Sequence, residues 1–401
     1  MKIGIIKERK TPPDERVPFS PEQCKRLMDQ YPNISVVVEP SDVRCFSDAD
    51  YTNAGIELAN DLSDCDVLMG VKEVPKDRLI PSKTYFFFSH TIKEQPYNRQ
   101  LLQTMLAHNI RMIDYETLTF PHGGRILGFG RYAGIVGAYN GLLAYGQKTG
   151  AFNLKPAHLC KNRADLEGEL YKAKLPKNYK IVDTGTGRVG QGALEILKKC
   201  GIQQVDRHSF LNDYFDEAVF CQLDVDDYYK RDDGASFDMS EFFNNPEGHT
   251  STFIDYAKVA NMYIACHYWD SRAPFIFTRE DMRNPVWNID LVADISCDID
   301  GPVACTLRPS TIANPLYGYD PLTEKEVSFD DAPIGVMAVD NLPCELPADA
   351  STDFGNNLID KVMPALIGSD FDQIIERATI CENGELTKHF SYLSNYVAQT
   401  S

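Results

Sequence analysis

The feature that most narrows what this chain can fold into lies near its middle. An apolar stretch at 179–183 runs into Gly185-Thr186-Gly187-Arg188-Val189-Gly190 and then into a helical run at 191–200 closed by Gly201. Strand, glycine turn and helix follow in the order a dinucleotide-binding unit needs. In such a unit the first glycine makes the tight turn and the second lets the backbone approach a pyrophosphate. The third lets the helix lie close against the strand. Unpaired amides at the helix start then face the phosphates. Glycines also make ordinary turns and helix caps, so it is the placement between strand and helix that points to a nucleotide. Asp206 follows at about the distance where an acid takes the ribose hydroxyls of NAD, whereas Arg207 and His208 beside it suit the extra phosphate of NADP. As a lone acid after a strand, Asp206 is equally well a solvated loop residue.

The flanking sequence alternates in the same way. Residues 2–7, 34–39, 67–71, 84–88 and 111–114 read as strands, and 20–31 and 98–108 as helices, the first with Ser20 as N-cap. After an acidic stretch at 213–238 that looks like an insertion or a partly irregular segment, strands resume at 262–267, 291–295 and 336–339. Such alternation predicts an α/β protein with mostly parallel sheets and helices on their faces. A chain of 401 residues is too long for one ordinary core. The expected architecture is therefore two Rossmann-like domains: a substrate domain at 1–130, a dinucleotide-binding domain at 131–335, and a segment at 336–401 that returns to the first. Between them, residues 131–150 form a helix crowded with Ala133, Gly134, Gly137, Ala138 and Gly141. Each glycine costs a helix about 1 kcal/mol relative to alanine, so close packing must offset them, and this helix is the expected hinge.

Composition excludes several classes of function. A hydrophobic content of 43% with 24% charged residues is that of a globular protein, without an apolar run long enough for a bilayer. The first ten residues lack the apolar centre of a secretion signal, which points to the cytoplasm. Eleven scattered cysteines with no Cys-x-x-Cys fit reduced thiols better than a disulfide framework or a zinc site. The eight histidines include no metal-binding spacing, so no metal is expected. A formal charge of −18 would repel phosphate backbones, and no basic stripe argues for nucleic acid. Oligomeric state is not legible.

In open parallel sheets ligands bind beyond the carboxyl ends of strands. The residues just past those ends are Lys72-Glu73, His90 and Glu116. Alone, each would be a surface charge or an edge histidine; together, a lysine and an imidazole after two strands of one domain form a candidate acid-base pair. Arg16 and Arg125 are the candidate bidentate partners for substrate carboxylates.

Four blocks then carry a resemblance: Gly70-Val71-Lys72-Glu73-Val74-Pro75, Phe87-Phe88-Ser89-His90-Thr91-Ile92-Lys93, Ile113-Asp114-Tyr115-Glu116, and Phe129-Gly130-Arg131-Tyr132-Ala133-Gly134. With Ala293-Asp294-Ile295-Ser296-Cys297-Asp298 and Val339-Asp340-Asn341-Leu342-Pro343, they resemble the lysine-forming saccharopine dehydrogenases, also called lysine ketoglutarate reductases. The wider group includes alanine dehydrogenases and the nucleotide-binding part of transhydrogenases. The resemblance implies an oxidoreductase of lysine metabolism that interconverts saccharopine with lysine and 2-oxoglutarate, using NAD with NADP still open. It implies Lys72 and His90 as catalytic residues, and Arg16, Glu73, Glu116 and Arg125 as ligands of an amino-acid and oxo-acid substrate. Cofactor contacts would come from Gly185, Gly187, Arg188, Val189, Gly190, Asp206, Cys266 and Asp298. Cys297 stands where the family usually has alanine. The alternatives are an alanine dehydrogenase and a non-catalytic dinucleotide-binding regulatory protein.

Overall fold

The computed structural model describes residues 1–399. The chain separates into two compact units, one made of Met1–Phe129 together with the residues from Pro347 onward, the other of Gly130–Leu346.

The first stretch supplies six strands: β1 (Lys2–Ile5), β2 (Ser35–Val38), β3 (Glu57–Leu58), β4 (Val67–Met69), β5 (Thr84–Phe87) and β6 (Arg111–Asp114). The second unit supplies β7 (Lys180–Thr184), β8 (Gln203–Gln204), β9 (Val219–Leu223), β10 (Tyr229–Arg231), β11 (His249–Ser251), β12 (Met262–Ala265), β13 (Leu291–Asp294), β14 (Leu316–Asp320), β15 (Lys325–Val327) and β16 (Ile334–Met337). The C-terminal stretch adds β17 (Thr379–Glu382) and β18 (Glu385–Leu386) to the first unit.

In the first unit the strand order is β18-β17-β6-β5-β4-β1-β2-β3, parallel from β6 to β3, with β17 antiparallel at the edge. The strands run apolar on both faces, as in the fully buried β4, because helices cover both sides of such a sheet. One covering helix, α1 (Pro21–Gln30), starts where Ser20 accepts from the Gln23 amide and Gln23 reaches back to the Ser20 amide, a complete capping box with proline in the first turn. Its buried face, Cys24 and Leu27, joins a core with Ile3, Val36, Val38 and Phe354. A second core, with Leu68, Tyr85, Met105 and Met112, fills the other face. There the helix α2 (Pro96–Ala107) contributes Leu101, Leu102 and Met105.

In the second unit the order is β15-β14-β16-β13-β12-β7-β9-β8, parallel except at the β14–β15 edge. A separate two-stranded ladder joins β10 and β11.

The structure refines three expectations here. The small-residue helix α3 (Gly130–Thr149) follows directly on the first stretch of unit one and packs within the second unit, as its place at 131–150 in the second domain predicts. It crosses α4 (Arg188–Lys199), the helix after the glycine turn, at backbone contact. A Cβ on Gly134 would stand 1.9 Å from the Val189 carbonyl, and one on Gly192 would stand 2.0 Å from that of Arg131. Arg131 also grips Glu195 of α4 through Nε and Nη2 at 2.7 and 2.9 Å. The return to the first unit comes at Pro347 rather than at 336, because β16 is held on both sides inside the second sheet. The acidic segment is only partly irregular: residues 213–218 and 232–238 hold no helix or strand, but between them lies β9, which pairs directly with β7.

Candidate functional site

The order of the first sheet places a topological switch between β1 and β4, since the chain builds β2 and β3 to one side before returning to the other. Loops after such neighbouring strands diverge and leave a crevice at their carboxyl ends. The loop after β1 carries Glu8, Lys10, Asp14 and Arg16, and the loop after β4 carries Lys72 and Glu73.

Glu73 is the centre of this cluster. One carboxylate oxygen takes a 2.6 Å hydrogen bond from Lys10 Nζ, and the other lies 3.7 Å from His90 Nδ1, an ion pair once the imidazole is protonated but too long for a hydrogen bond. Burial alone would raise the Glu73 pKa, yet His90 and Lys10 outweigh it and hold the group down at about 2. Lys72 has no hydrogen-bond or ion-pair partner for its ammonium among the described residues. Its pKa is lowered, first by burial and then by the nearby Arg16 charge, with Asp14 and Glu73 pulling weakly the other way.

His90 ends the β5 loop in a left-handed conformation at φ 55°, uncommon for a side-chain-bearing residue. Its ring stacks on Phe88 at 6.5 Å between centroids. Phe88 in turn packs against Tyr115, Phe129 and Phe354, a dry platform beside the charges. Asp114, fully buried, fixes the same loop: it accepts from the Ser89 amide at 2.9 Å, from the Ser89 hydroxyl, and from the Glu116 amide at 2.7 Å.

Arg16 departs from the expected substrate fork. Its Nε and Nη2 edge already grips Asp14 at 3.0 and 2.6 Å, both residues are buried, and the guanidinium lies 4.3 Å over the Phe129 ring. Against burial, these bonds keep Asp14 ionised, with its pKa lowered. Arg125 sits on a hairpin arm where Thr119 and Arg125 pair, and donates to Glu116 at 2.7 Å with Lys93 at 3.8 Å on the same oxygen. The other Glu116 oxygen is buried without a hydrogen-bond partner. Glu8, Lys10, Asp14, Lys93 and Asp114 were not singled out from sequence. The Asp14-x-Arg16 spacing in a loop after a strand was the available signal.

The second unit repeats the design in another material. Its switch lies between β7 and β12, and the glycine turn follows β7. Gly185 has φ 104°, and a Cβ there would stand 2.6 Å from the Cys266 carbonyl; one on Gly190 would stand 2.0 Å from the Gly185 carbonyl. A Cβ on Gly187, the N-cap of α4, would meet nothing within 4 Å. The turn is thus packed tight underneath and open above, and α4 begins without a side-chain cap, which is how a pyrophosphate cradle must be built. Arg188 and Val189 are the first residues of that helix.

Asp206 lies elsewhere. It caps the short helix Arg207–Asn212 by accepting from the Ser209 amide at 3.1 Å, beyond the outermost strand β8. The acid that follows the strand beside β7 is Asp224, whose carboxylate accepts from the turn residue Thr186 at 3.2 Å. It was hidden in the acidic run. Cys266 follows β12, buried, its thiol pKa pushed well up by burial and by Asp183. Asp298 is half-buried on the loop after β13. Cys297 there is left-handed at φ 53°, with its amide held by Asp294 at 3.0 Å.

Among the described residues no group of three or more His, Cys, Asp or Glu side chains is placed to hold a metal, and no helix is long and apolar enough to cross a membrane.

Residues 4–136 match the family model for the N-terminal domain of alanine dehydrogenase/PNT. The chain is 29% identical over 441 residues to alpha-aminoadipic semialdehyde synthase of Arabidopsis thaliana, an alignment covering 98% of this chain and 41% of that one. It thus spans less than half of that relative. It is 25% identical to the saccharopine dehydrogenase [NAD(+), L-lysine-forming] of Emericella nidulans, covering 91% of both chains. A solved L-alanine dehydrogenase superposes with a TM-score of 0.65 at 18% identity, covering 99% of this chain and 100% of that one, a likeness of fold. The chain is therefore a relative, over most of its length, of the lysine-forming saccharopine dehydrogenases, with a first domain that matches the alanine dehydrogenase/PNT type.

Proposed function

We propose that the protein is a nicotinamide-dependent oxidoreductase that interconverts saccharopine with lysine and 2-oxoglutarate, with NAD as its cofactor. The observation that carries this reading is the set of Lys72, Glu73 and His90 at the first switch point, where Glu73 is pinned between Lys10 and His90 beside a desolvated Lys72. That is an arrangement for moving protons on nitrogen and on a water-derived oxygen, as imine formation and hydrolysis demand. NAD, when bound, takes or gives the hydride at the carbon that bears nitrogen.

The chain's own groups do the rest. His90, backed by Glu73, exchanges a proton with the substrate. Lys72, whose pKa is lowered by burial and by Arg16, shares that transfer. Arg125 with Lys93 meets a substrate carboxylate, and Glu116 orients it or the amine. Arg16, held by Asp14, acts as a fixed buried charge. The glycine turn takes the pyrophosphate, and Asp224 favours two free ribose hydroxyls over a phosphate, which supports NAD.

A co-substrate panel tests the reading. NADH oxidation is expected with lysine plus 2-oxoglutarate; turnover confined to pyruvate plus ammonia would replace it with an alanine dehydrogenase. Dinucleotide binding with no turnover of any amino or oxo acid would leave a regulatory protein.

A further inference from the structure

We propose that Glu8 is a positioning residue for Lys72: its carboxylate clamps the two backbone amides that open the Lys72 loop and so sets the direction from which the lysine enters the site. The proposal rests on the catalytic role assigned to Lys72 above.

The β1–β4 ladder continues one step past the strands, with the Ile6 amide bonded to the Met69 carbonyl at 3.0 Å. Beyond it the two chains diverge, and the amides of Val71 and Lys72 are donors that a strand end leaves over. Glu8 takes both. One oxygen accepts from Val71 at 2.6 Å and the other from Lys72 at 2.9 Å. Close approach here leaves no room for a side chain on Gly70, where a Cβ would stand 2.9 Å from the Ile6 side chain and 3.3 Å from Glu8 Oε1.

An ionised carboxylate offers a strong, charge-assisted acceptor at each oxygen. A neutral carboxyl keeps only a weaker hydroxyl acceptor on one side, and an amide in its place turns a donor toward a donor. Burial raises the Glu8 pKa to about 7, against the two amides that lower it. The charged and titratable groups that face it are Asp14 and Arg16 on its own loop and the buried Tyr115 after β6, while Lys72 meets it through its backbone amide. Asp14 opposes ionisation and Arg16 favours it. The two-bond clamp therefore strengthens as pH rises through about 7 and weakens below it.

The test uses the full-length protein and the substitution Glu8→Gln, which keeps size and loses one acceptor. Since a misplacement of about 1 Å is worth up to roughly a hundredfold, kcat at pH 8 should fall about ten- to a hundredfold while the NADH dissociation constant holds. The wild-type step in kcat near neutrality assigned to Glu8 should vanish from the variant's profile. Glu8→Asp, which keeps both acceptors on a shorter arm, should recover part of the loss. In a Lys72→Met background Glu8→Gln should add little, because the two act through one group. A full multiplicative loss in that background, or an unchanged kcat and profile, would overturn the proposal. Amide exchange of the peptide holding Val71 and Lys72 is read in parallel. Faster exchange in Glu8→Gln at pH 8 supports the clamp even if the protein proves to have no turnover, and unchanged exchange defeats it whatever the activity.

Discussion

At the ends of β1 and β4 the first unit gathers charge: Lys10, Asp14, Arg16, Lys72 and Glu73 crowd two loops, and Asp14, Lys72 and Glu73 are tuned by their neighbours. At the ends of β7 and β12 the second unit clears side chains away, so that Gly185, Gly187 and Gly190 leave backbone amides to face a ligand. Both places are the same point of the same topology, the crevice at a switch in strand order. The contrast follows from the chemistry each must serve. Proton transfer needs side chains whose pKa values are set apart by burial and pairing, whereas a pyrophosphate needs close, rigid donors that do not titrate.

Four experiments would break or sharpen this contrast. The largest effects belong to the charged end. Lys72→Met and His90→Gln should each lower turnover by about a hundredfold to ten-thousandfold with the NADH dissociation constant held, and the double variant should lose less than the product. A His90→Gln protein with wild-type turnover and pH profile would remove His90 from the chemistry.

At the glycine turn the expectation reverses. Gly187→Val places its side chain in open space, so the melting temperature should stay while NADH binding weakens by more than about tenfold, roughly 1.4 kcal/mol. Gly190→Val, against the Gly185 carbonyl, should instead fail to fold normally. Equal NADH binding in Gly187→Val and wild type would disprove the cradle.

Smaller shifts separate the two acids. Asp224→Ala should reduce the preference for NADH over NADPH, several-fold on titration. Asp206→Ala should leave both affinities alone and lower stability slightly as a lost helix cap. The reverse pattern would restore Asp206 to the ribose.

The smallest effect is one of pH. The Glu73 pKa is depressed in the folded protein to about 2, below the ordinary 4.5, so its ionised form adds stability that is fully present above about 4.5 and fades as pH falls toward 2. The stability gap between wild type and Glu73→Gln, measured by denaturant titration, should therefore be widest near neutrality and close in acid. A gap that grew in acid would contradict the pairing with Lys10 and His90.

Much of this was legible before any coordinates. The alternating strands, the Ser20 cap, the glycine turn and the strand-end positions of Lys72, Glu73, His90 and Glu116 follow from local pattern, because period, capping and turn chemistry act over a few residues. Asp224 was missed because a distance rule counted along the chain and stopped at Asp206, while pairing puts β9 and not β8 beside β7. The small-residue helix was placed correctly in the second domain, but its packing partner was not legible. Its glycines announced close packing but not the partner, which proved to be α4 in its own unit.

The sequence by itself determined which elements form and which residues stand at the ends of strands, since those depend on hydrophobic period and backbone preference. Only the tertiary structure decided who meets whom there. It paired Arg16 with Asp14, set Glu73 between Lys10 and His90, and brought Glu8 under the amides of Val71 and Lys72. Those contacts join loops more than sixty residues apart in the chain for Glu8 and Lys72. Strand order fixes such meetings, and no local propensity encodes strand order.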